Sequence, residues 1–132
     1  MTTELPTLPN PEITPSVAHF WEAAGEGKLD IRHCRSCNEL HHYPRSFCPF
    51  CYSDDLDWQT VSGKGTVYSF SVMRRAPVPF AIAYVTLEEG PTILSHIVRI
   101  DLDDIAIGQK VQVAFADTQD DGPKVPVFEA AS

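Results

Sequence analysis

All four cysteines of the chain lie between positions 34 and 51, as two C-x-x-C pairs. The first pair is Cys34 and Cys37, the second is Cys48 and Cys51, and the ten residues 38–47 separate them. Each C-x-x-C turn places two sulfur atoms close enough to share one ion. A hairpin between the pairs then completes the tetrahedron of soft ligands that Zn²⁺ prefers. The spacing therefore predicts a zinc ribbon.

Two other metal or redox chemistries use C-x-x-C pairs. A thioredoxin-like centre has one pair within a βαβ unit, and that pattern is missing around these cysteines. A rubredoxin-like iron site uses two pairs, so the sequence leaves iron open, although the short intervening loop suits a zinc ribbon better. A catalytic zinc keeps an open position for water, whereas four thiolates close the shell. We therefore expect a structural ion whose binding is coupled to folding.

Three histidines, His33, His41 and His42, lie close to the cysteines in the sequence. Imidazole is also a zinc ligand, so each is a candidate to compete with a thiolate. Because four cysteines already complete the tetrahedron, we predict that these histidines lie at the surface or support the ligands from outside.

The composition indicates a small acidic protein with enough apolar residues for a core. The chain has 132 residues, 43% of them hydrophobic, and a formal net charge of −8. Four thiolates around one Zn²⁺ would make the total about −10. Nucleic acids and anionic membranes attract basic surfaces, so both are disfavoured as partners. A small anionic ligand on a local basic patch remains compatible with this charge.

The N-terminal residues have neither the basic region nor the apolar region of a signal peptide. No apolar run approaches the roughly 20 residues of a membrane span. We therefore expect a cytoplasmic chain, in a compartment where disulfides are rare and paired C-x-x-C motifs are more often metal sites.

The residues before the cysteines predict an arm and a short helix. Three prolines within 1–14 favour an extended arm, which either hangs free or docks on a partner. Thr14 and Pro15 fit the N-cap and the first helical position. Gly25 or Gly27 then ends the helix. Its apolar stripe has the spacing i, i+3, i+4 and i+7: Val17, Phe20, Trp21 and Ala24.

The chain after the helix has the signals of strands separated by turns. Strands are predicted over 29–33, 56–61 and 66–73, on either side of the turn 88–91, and over 110–116 and 123–128. In 66–73, Tyr68, Phe70 and Val72 alternate and are predicted to share one face. The fold class is mainly β: a short N-terminal helix, a zinc ribbon and a five-stranded OB-fold barrel, with an SH3-like barrel as the competitor.

These elements divide the chain into three predicted segments. Residues 1–14 form a flexible Pro-rich arm, 15–54 form the helix and zinc ribbon, and 55–132 form the OB-fold domain. Five aromatic residues cluster around the ribbon in sequence, and those left exposed are candidate interface anchors: Phe20, Trp21, Tyr43, Phe47 and Phe50.

Five segments together resemble the DUF35 family: FWEAAGEGKL, CRSC, YPRSFCPFC, WQTVSGKGTVYSF and DDIAIGQKVQV. Members combine an N-terminal helix, a rubredoxin-like zinc ribbon and an OB-fold, and the resemblance covers about residues 17–128. One departure is that the residue after each cysteine turn, often Gly in such ribbons, is Asn38 or Tyr52 here. Tyr tolerates a positive φ poorly, so we expect the second turn to be slightly remodelled.

The resemblance implies a non-catalytic accessory subunit in a hetero-oligomer. Its partner would be a thiolase-like enzyme: a thiolase, a sterol-carrier-type thiolase, an acyltransferase or an aldolase that cleaves side-chain acyl-CoA thioesters. The OB domain would receive CoA or acyl-CoA, and the ribbon and helix would contact the partner. On this view the chain has no activity alone and belongs to an acyl-CoA-processing complex.

CoA carries phosphates that need cationic groups and a pantetheine arm that needs an apolar trough. Arg74 and Arg75 follow the strand 66–73, and Lys64 lies in the turn before it. Phe80 ends the segment 77–80, which is suited to line a groove. These four residues are the candidate ligand-binding residues. The alternative is that both arginines are solvated or pair with an acidic partner surface.

Two rival functions have weaker support. Zinc ribbons and OB-folds also bind single-stranded nucleic acid, but they do so with basic grooves. An independent enzyme would need a nucleophile motif, and the sequence has no G-x-S-x-G elbow, no Walker loop and no cysteine to spare. Asp101, Asp103 and Asp104 lack the spacing of an EF-hand loop and predict an exposed turn.

Overall fold

The structure, a computed structural model, describes residues 14–15, 17–42, 44–118 and 122–131. Within these residues it contains one α-helix, a three-stranded sheet and a closed five-stranded barrel. This confirms the predicted fold class. Apart from Thr14, the predicted arm over 1–14 lies outside the described residues. Among the described helices, none is long and apolar enough to cross a membrane.

Helix α1 spans Ala18–Gly25 and begins later than predicted. The backbone N–H of Val17 donates to the Thr14 carbonyl at 3.1 Å, so this segment forms a turn and Val17 becomes the N-cap. Gly27 takes a φ of +79°, and its N–H donates to the Ala24 carbonyl at 3.0 Å. This left-handed residue closes the helix as the sequence predicted.

The helix leads into a small antiparallel sheet in the order β2-β1-β3. Its strands are β1 (Leu29–Cys34), β2 (Leu40–His41) and β3 (Leu56–Val61). Strand β3 has the predicted bounds and pairs with β1 along its whole length. Strand β3 therefore belongs to the predicted OB-fold segment 55–132 but hydrogen-bonds to a strand of the predicted helix and ribbon segment 15–54. The division between these two segments stays a prediction.

The remaining strands close into a barrel in the order β4-β5-β6-β8-β7. They are β4 (Lys64–Met73), β5 (Phe80–Leu87), β6 (Thr92–Ile97), β7 (Lys110–Ala116) and β8 (Val125–Ala130). Only β6 and β8 pair in parallel, and the other neighbours in the barrel are antiparallel. This is the five-stranded arrangement of an OB-fold.

Strand β4 carries a β-bulge between Val67 and Ser69 that the sequence pattern did not reveal. The predicted alternation of Tyr68, Phe70 and Val72 is wrong at Tyr68, because the bulge leaves that residue without a partner on β5. Beyond the bulge, Phe70 and Val72 lie opposite the buried Ala83 and Ala81. Bulges bend a strand, which helps β4 contact both β5 and β7.

The helix, the small sheet and the barrel share one hydrophobic core. Phe20 from the helix and Ile31 from β1 belong to the same buried cluster as Val67, Val85 and Phe128 of the barrel. Because these side chains bury apolar surface together, the ribbon sheet and the barrel stabilise each other.

Candidate functional site

The structure brings together all four predicted metal ligands. Their Sγ atoms lie within 4.8 Å of one another, with 3.6 Å between Cys34 and Cys51 and 3.7 Å between Cys37 and Cys48. A tetrahedral ion with Zn–S bonds of about 2.3 Å requires sulfurs about 3.8 Å apart. A disulfide would need about 2.05 Å. The four thiols therefore fit a single ion, and among the described residues no histidine or carboxylate joins them.

The two cysteine turns have nearly the same backbone geometry. The N–H of Asn38 donates to the Cys34 carbonyl at 2.8 Å, and the N–H of Tyr52 donates to the Cys48 carbonyl at 2.8 Å. Asn38 and Tyr52 have φ values of 62° and 64°. The expectation that the second turn is remodelled is therefore wrong. Tyr52 adopts the left-handed conformation while its side chain is 76% exposed. Its ring lies 6.3 Å from that of Phe47, and this single contact at the surface offsets little of the strain.

The sulfur of Cys34 lies in an environment that favours the thiolate. A backbone hydrogen bond from Cys37 is the largest cause that lowers the pKa of Cys34 to about 7, although burial acts in the opposite direction. Metal ligation requires deprotonated thiols. Although a backbone hydrogen bond from Glu39 opposes it, burial and hydrogen bonds with the other thiols raise the pKa of Cys37 to about 12, so metal binding must displace that proton.

Side chains also join the two turns to each other. The hydroxyls of Ser36 and Ser53 lie 2.8 Å apart. The guanidinium of Arg35 lies 2.8 Å from the carboxylate of Asp55. These contacts are exposed, so each adds little stability by itself, but they hold the two turns in register.

The three histidines near the cysteines have different environments. His33 Nδ1 lies 2.7 Å from Asp57, and its Nε2 lies 2.7 Å from the side-chain oxygen of Asn38. The hydrogen bond to Asn38 and then that to Asp57 raise the pKa of His33, because both ring nitrogens can donate only when the ring is protonated. His33 supports the first turn from outside, as predicted.

His41 is buried and His42 is partly buried. His41 is 4% exposed, and the ring of His42 packs 5.4 Å from that of Phe20. Burial lowers the pKa of His42 to about 4, so it is neutral at pH 7. These two rings pack beneath the ribbon. Of the two predicted positions, at the surface or supporting the ligands from outside, the surface position is wrong for His41.

A polar and aromatic cluster attaches the helix to the sheet. The guanidinium of Arg32 lies 4.7 Å from the centre of the Trp58 ring. The His19 ring stacks on Trp58 at 4.7 Å, and His19 Nε2 lies 2.8 Å from Asp30. The sequence analysis missed this cluster. The sequence indicated this cluster only through the alternation of Asp30 and Arg32 along β1. The residues that they face on β3 are known only once the strand register is known.

Three of the four candidate ligand-binding residues lie together. A depression of about 570 Å³, open to solvent, lies after the end of β4. Its lining residues are Val72, Met73, Arg74, Arg75, Ala76 and Phe80. Lys64 is at the other end of the ten-residue strand β4 and is not in this lining. The ligand roles of Lys64, Arg74, Arg75 and Phe80 stay predictions.

Arg74 is engaged in an exposed ion pair. Its Nη2 lies 2.7 Å from Asp103 Oδ1. Asp103 belongs to a 3₁₀ turn (Leu102–Asp104), which Asp101 caps by accepting the Asp103 N–H. The three aspartates thus form the predicted exposed turn. Arg75, in contrast, makes no ion pair with any residue in the described part of the chain.

The aromatic residues near the ribbon divide into buried and exposed groups. Phe20 is 4% exposed and belongs to the core. Phe47 and Phe50 are 46% and 63% exposed, so they are the two that remain candidate anchors. Trp21 packs partly buried against the core, and Tyr43 lies outside the described residues.

A helix, a four-cysteine ribbon and an OB-fold barrel together define a zinc-ribbon/OB-fold protein. Residues 21–57 match the rubredoxin-like zinc ribbon domain of ChsH2, and residues 58–116 match the C-terminal OB-fold domain of ChsH2. The chain is 34% identical over 96 residues to a DUF35 domain-containing scaffold protein of Methanocaldococcus jannaschii, covering 67% of this chain and 68% of that protein. The chain belongs to the DUF35 family.

Two further relatives cover more of this chain. It is 35% identical over 128 residues to a probable enoyl-CoA hydratase alpha subunit of Thermomonospora curvata, covering 93% of this chain and 40% of that protein. The chain therefore spans less than half the length of this relative. A chain in the solved structure of the Ltp2-ChsH2(DUF35) aldolase superposes with a TM-score of 0.84 at 34% identity, covering 92% of this chain and 99% of that one.

Replacing Tyr52 by Gly should stabilise the protein by about 1 kcal/mol, because a left-handed residue with a Cβ costs roughly that amount. Tyr52 is 76% exposed and loses little packing. Asn38→Gly is the matched control at the equivalent position. It also loses the hydrogen bond to His33, so its gain should be smaller or negative. Urea unfolding measures both, and an unchanged or lower stability of Tyr52→Gly would contradict the strain argument.

Replacing Cys34 by Ser should reduce the bound metal from about one ion per chain to nearly none, because a hard hydroxyl is a poor substitute for a thiolate. Amide hydrogen exchange should become faster first in β1, β2 and β3, because the cysteine turns connect these strands. Ser36→Ala, in the same turn, is the control and should keep its metal. Elemental analysis and exchange mass spectrometry give the two readouts. A metal-free Cys34→Ser chain with unchanged protection in β1–β3 would show that the ion is dispensable for the sheet.

Proposed function

We propose that this chain is a non-catalytic accessory subunit of an acyl-CoA-processing enzyme. It binds a thiolase-like enzyme, whether thiolase, sterol-carrier-type thiolase, acyltransferase or side-chain aldolase, and helps to bind or present the acyl-CoA substrate. The main support is its likeness, along almost its whole length, to a chain of a solved aldolase assembly. A relative described as an enoyl-CoA hydratase alpha subunit adds the link to acyl-CoA.

The metal centre supports a non-catalytic role. Four sulfurs at tetrahedral spacing leave no position at which the ion binds water or substrate. The depression beside Arg74 and Arg75 is open to solvent, so by itself it does not exclude water from a reacting thioester. A second protein surface is therefore needed to enclose a ligand there, which agrees with the role of a partner subunit.

The lining of the depression suits the two halves of acyl-CoA. Val72, Met73 and Phe80 offer apolar surface for pantetheine or an acyl chain. Arg74 and Arg75 offer guanidinium groups, which bind phosphate oxygens through paired N–H donors. Both arginines are exposed, so they reach a ligand without rearrangement of the barrel.

Affinity purification of the tagged full chain from its own cells tests the proposal. Mass spectrometry and metal analysis of the same sample should find a stoichiometric thiolase-fold partner and about one zinc ion per chain. A zinc-loaded monomer without such a partner would contradict the accessory role, and ligand screening would then start without a thiolase.

Replacing Arg74 or Arg75 by Ala in the purified complex should weaken CoA binding by about 10-fold, the effect of losing one charge-assisted contact of about 1.5 kcal/mol. Asp103→Asn should strengthen binding, because it frees Arg74 from its ion pair. Asp104→Asn removes the same charge from the same turn without touching Arg74 and is the matched control. Isothermal titration with CoA measures all four variants. Equal effects of Asp103→Asn and Asp104→Asn would contradict this. They would show that CoA binding depends on the total negative charge of the turn and not on the Arg74–Asp103 ion pair.

A further inference from the structure

The outward side of β4, β5 and β6 forms one continuous surface. Residues opposite one another in the register form three rows across the three strands and a fourth across β4 and β5. The rows are Thr66, Thr86 and Thr92; Ser69, Tyr84 and Leu94; Ser71, Ile82 and His96; and Met73 and Phe80. These eleven residues are called the outer face below.

Side-chain contacts confirm that the outer face is one surface. The hydroxyls of Thr86 and Thr92 lie 3.1 Å apart, and the rings of Phe80 and His96 have centroids 5.6 Å apart. The alternate residues of β5 point inward and are at most 2% exposed: Ala81, Ala83, Val85 and Leu87. The two sides of β5 are therefore distinct, one in the barrel core and one outside it.

The outer face carries no charged side chain. Asp, Glu, Lys and Arg make up 21% of the chain, and exposed surface is normally richer in them than the average. Tyr84 and Leu94 form a cross-strand pair at the centre of the face, and they are 48% and 52% exposed. An apolar centre depleted of charge is the composition of a protein interface core.

The charges around the outer face indicate what covers it. Glu88 and Lys110 lie at one end, so their charges offset each other. At the other end Arg74 is paired with Asp103, whereas Arg75 makes no ion pair with any described residue. This unpaired cation favours a partner that places an acidic group at that end of the face. A second copy of this chain would bring together two molecules of net charge −8, which opposes self-association.

The outer face is also continuous with the proposed ligand site. Met73 and Phe80 belong both to its last row and to the lining of the depression beside Arg74 and Arg75. A protein seated on the outer face would extend over the open side of that depression. The acyl-CoA would then be enclosed between two subunits rather than held on one.

We propose that the outer face is the docking surface for the thiolase-like partner, with the Tyr84–Leu94 pair at its centre. This inference rests on the proposed function and adds the side of the barrel that the partner contacts. Because the barrel is closed, contact is made by side chains rather than by addition of a strand to β5.

The test introduces one negative charge at each of three exposed apolar positions. Leu94→Glu lies on the outer face. Ile107→Glu in the connector after the 3₁₀ turn is the control, and Phe50→Glu tests the rival interface on the ribbon, where Phe50 is a candidate anchor. These side chains are 69% and 63% exposed in the native protein. Each full-length variant is titrated by biolayer interferometry against the thiolase-fold subunit that co-purifies with the native chain. Leu94→Glu should weaken binding at least about 30-fold, the loss typical of a central interface residue, whereas Ile107→Glu and Phe50→Glu should each weaken it less than about 3-fold.

The outcomes separate this inference from the proposed function. If Phe50→Glu abolishes binding while Leu94→Glu does not, the partner sits on the ribbon, so the outer-face inference fails and the accessory role stands. If the native chain binds no thiolase-fold protein, both fail, whereas self-association through Leu94 overturns only the outer-face inference. Unfolding midpoints are measured for every variant. If Leu94→Glu does not fold, Tyr84→Arg on the adjacent strand replaces it, and the same loss of partner binding is required.

Discussion

The tetrahedral placement of four thiolates is the constraint on which the rest of this structure depends. Two turns distant in sequence must bring their sulfurs to about 3.8 Å from one another, and this forces Asn38 and Tyr52 into left-handed conformations. Cys34 is also the last residue of β1 and pairs with Leu56, the first residue of β3. The metal site therefore fixes one end of the sheet whose other side contributes Ile31 to the core shared with the barrel.

The parts of the fold that were predictable have a signal in nearby residues. The cysteine spacing specified the ribbon, and alternating apolar residues specified β3 and β7 to the residue. Features that depend on distant partners were missed or wrong. The bulge at Tyr68 is defined by the pairing of β4 with β5, and the pairing of Arg74 with Asp103 joins residues 29 positions apart. The start of α1 was wrong because Thr14 contributes its backbone carbonyl to a turn.

The candidate site also has parts that were predictable from nearby residues and parts that were not. The four ligands were predictable because a metal shell is specified by residue type and spacing. Arg74, Arg75 and Phe80 are close together because a short loop connects β4 to β5. Lys64 was grouped with them, but the whole length of β4 separates it from this loop. The uncharged outer face could not be located from the sequence, since it requires the register of three strands. A closed metal site, an open depression beside two arginines and an uncharged outer face suit a protein that completes another protein's site.

The most direct test of the accessory role is turnover of acyl-CoA by the partner enzyme, purified apart from this chain and then assayed with and without it. The account predicts that the partner loses activity or folded stability when alone, and that the metal-loaded chain restores it. It also predicts that the chain alone turns over no acyl-CoA. A partner that folds and works equally well without the chain, or a chain that cleaves the thioester by itself, would contradict the account.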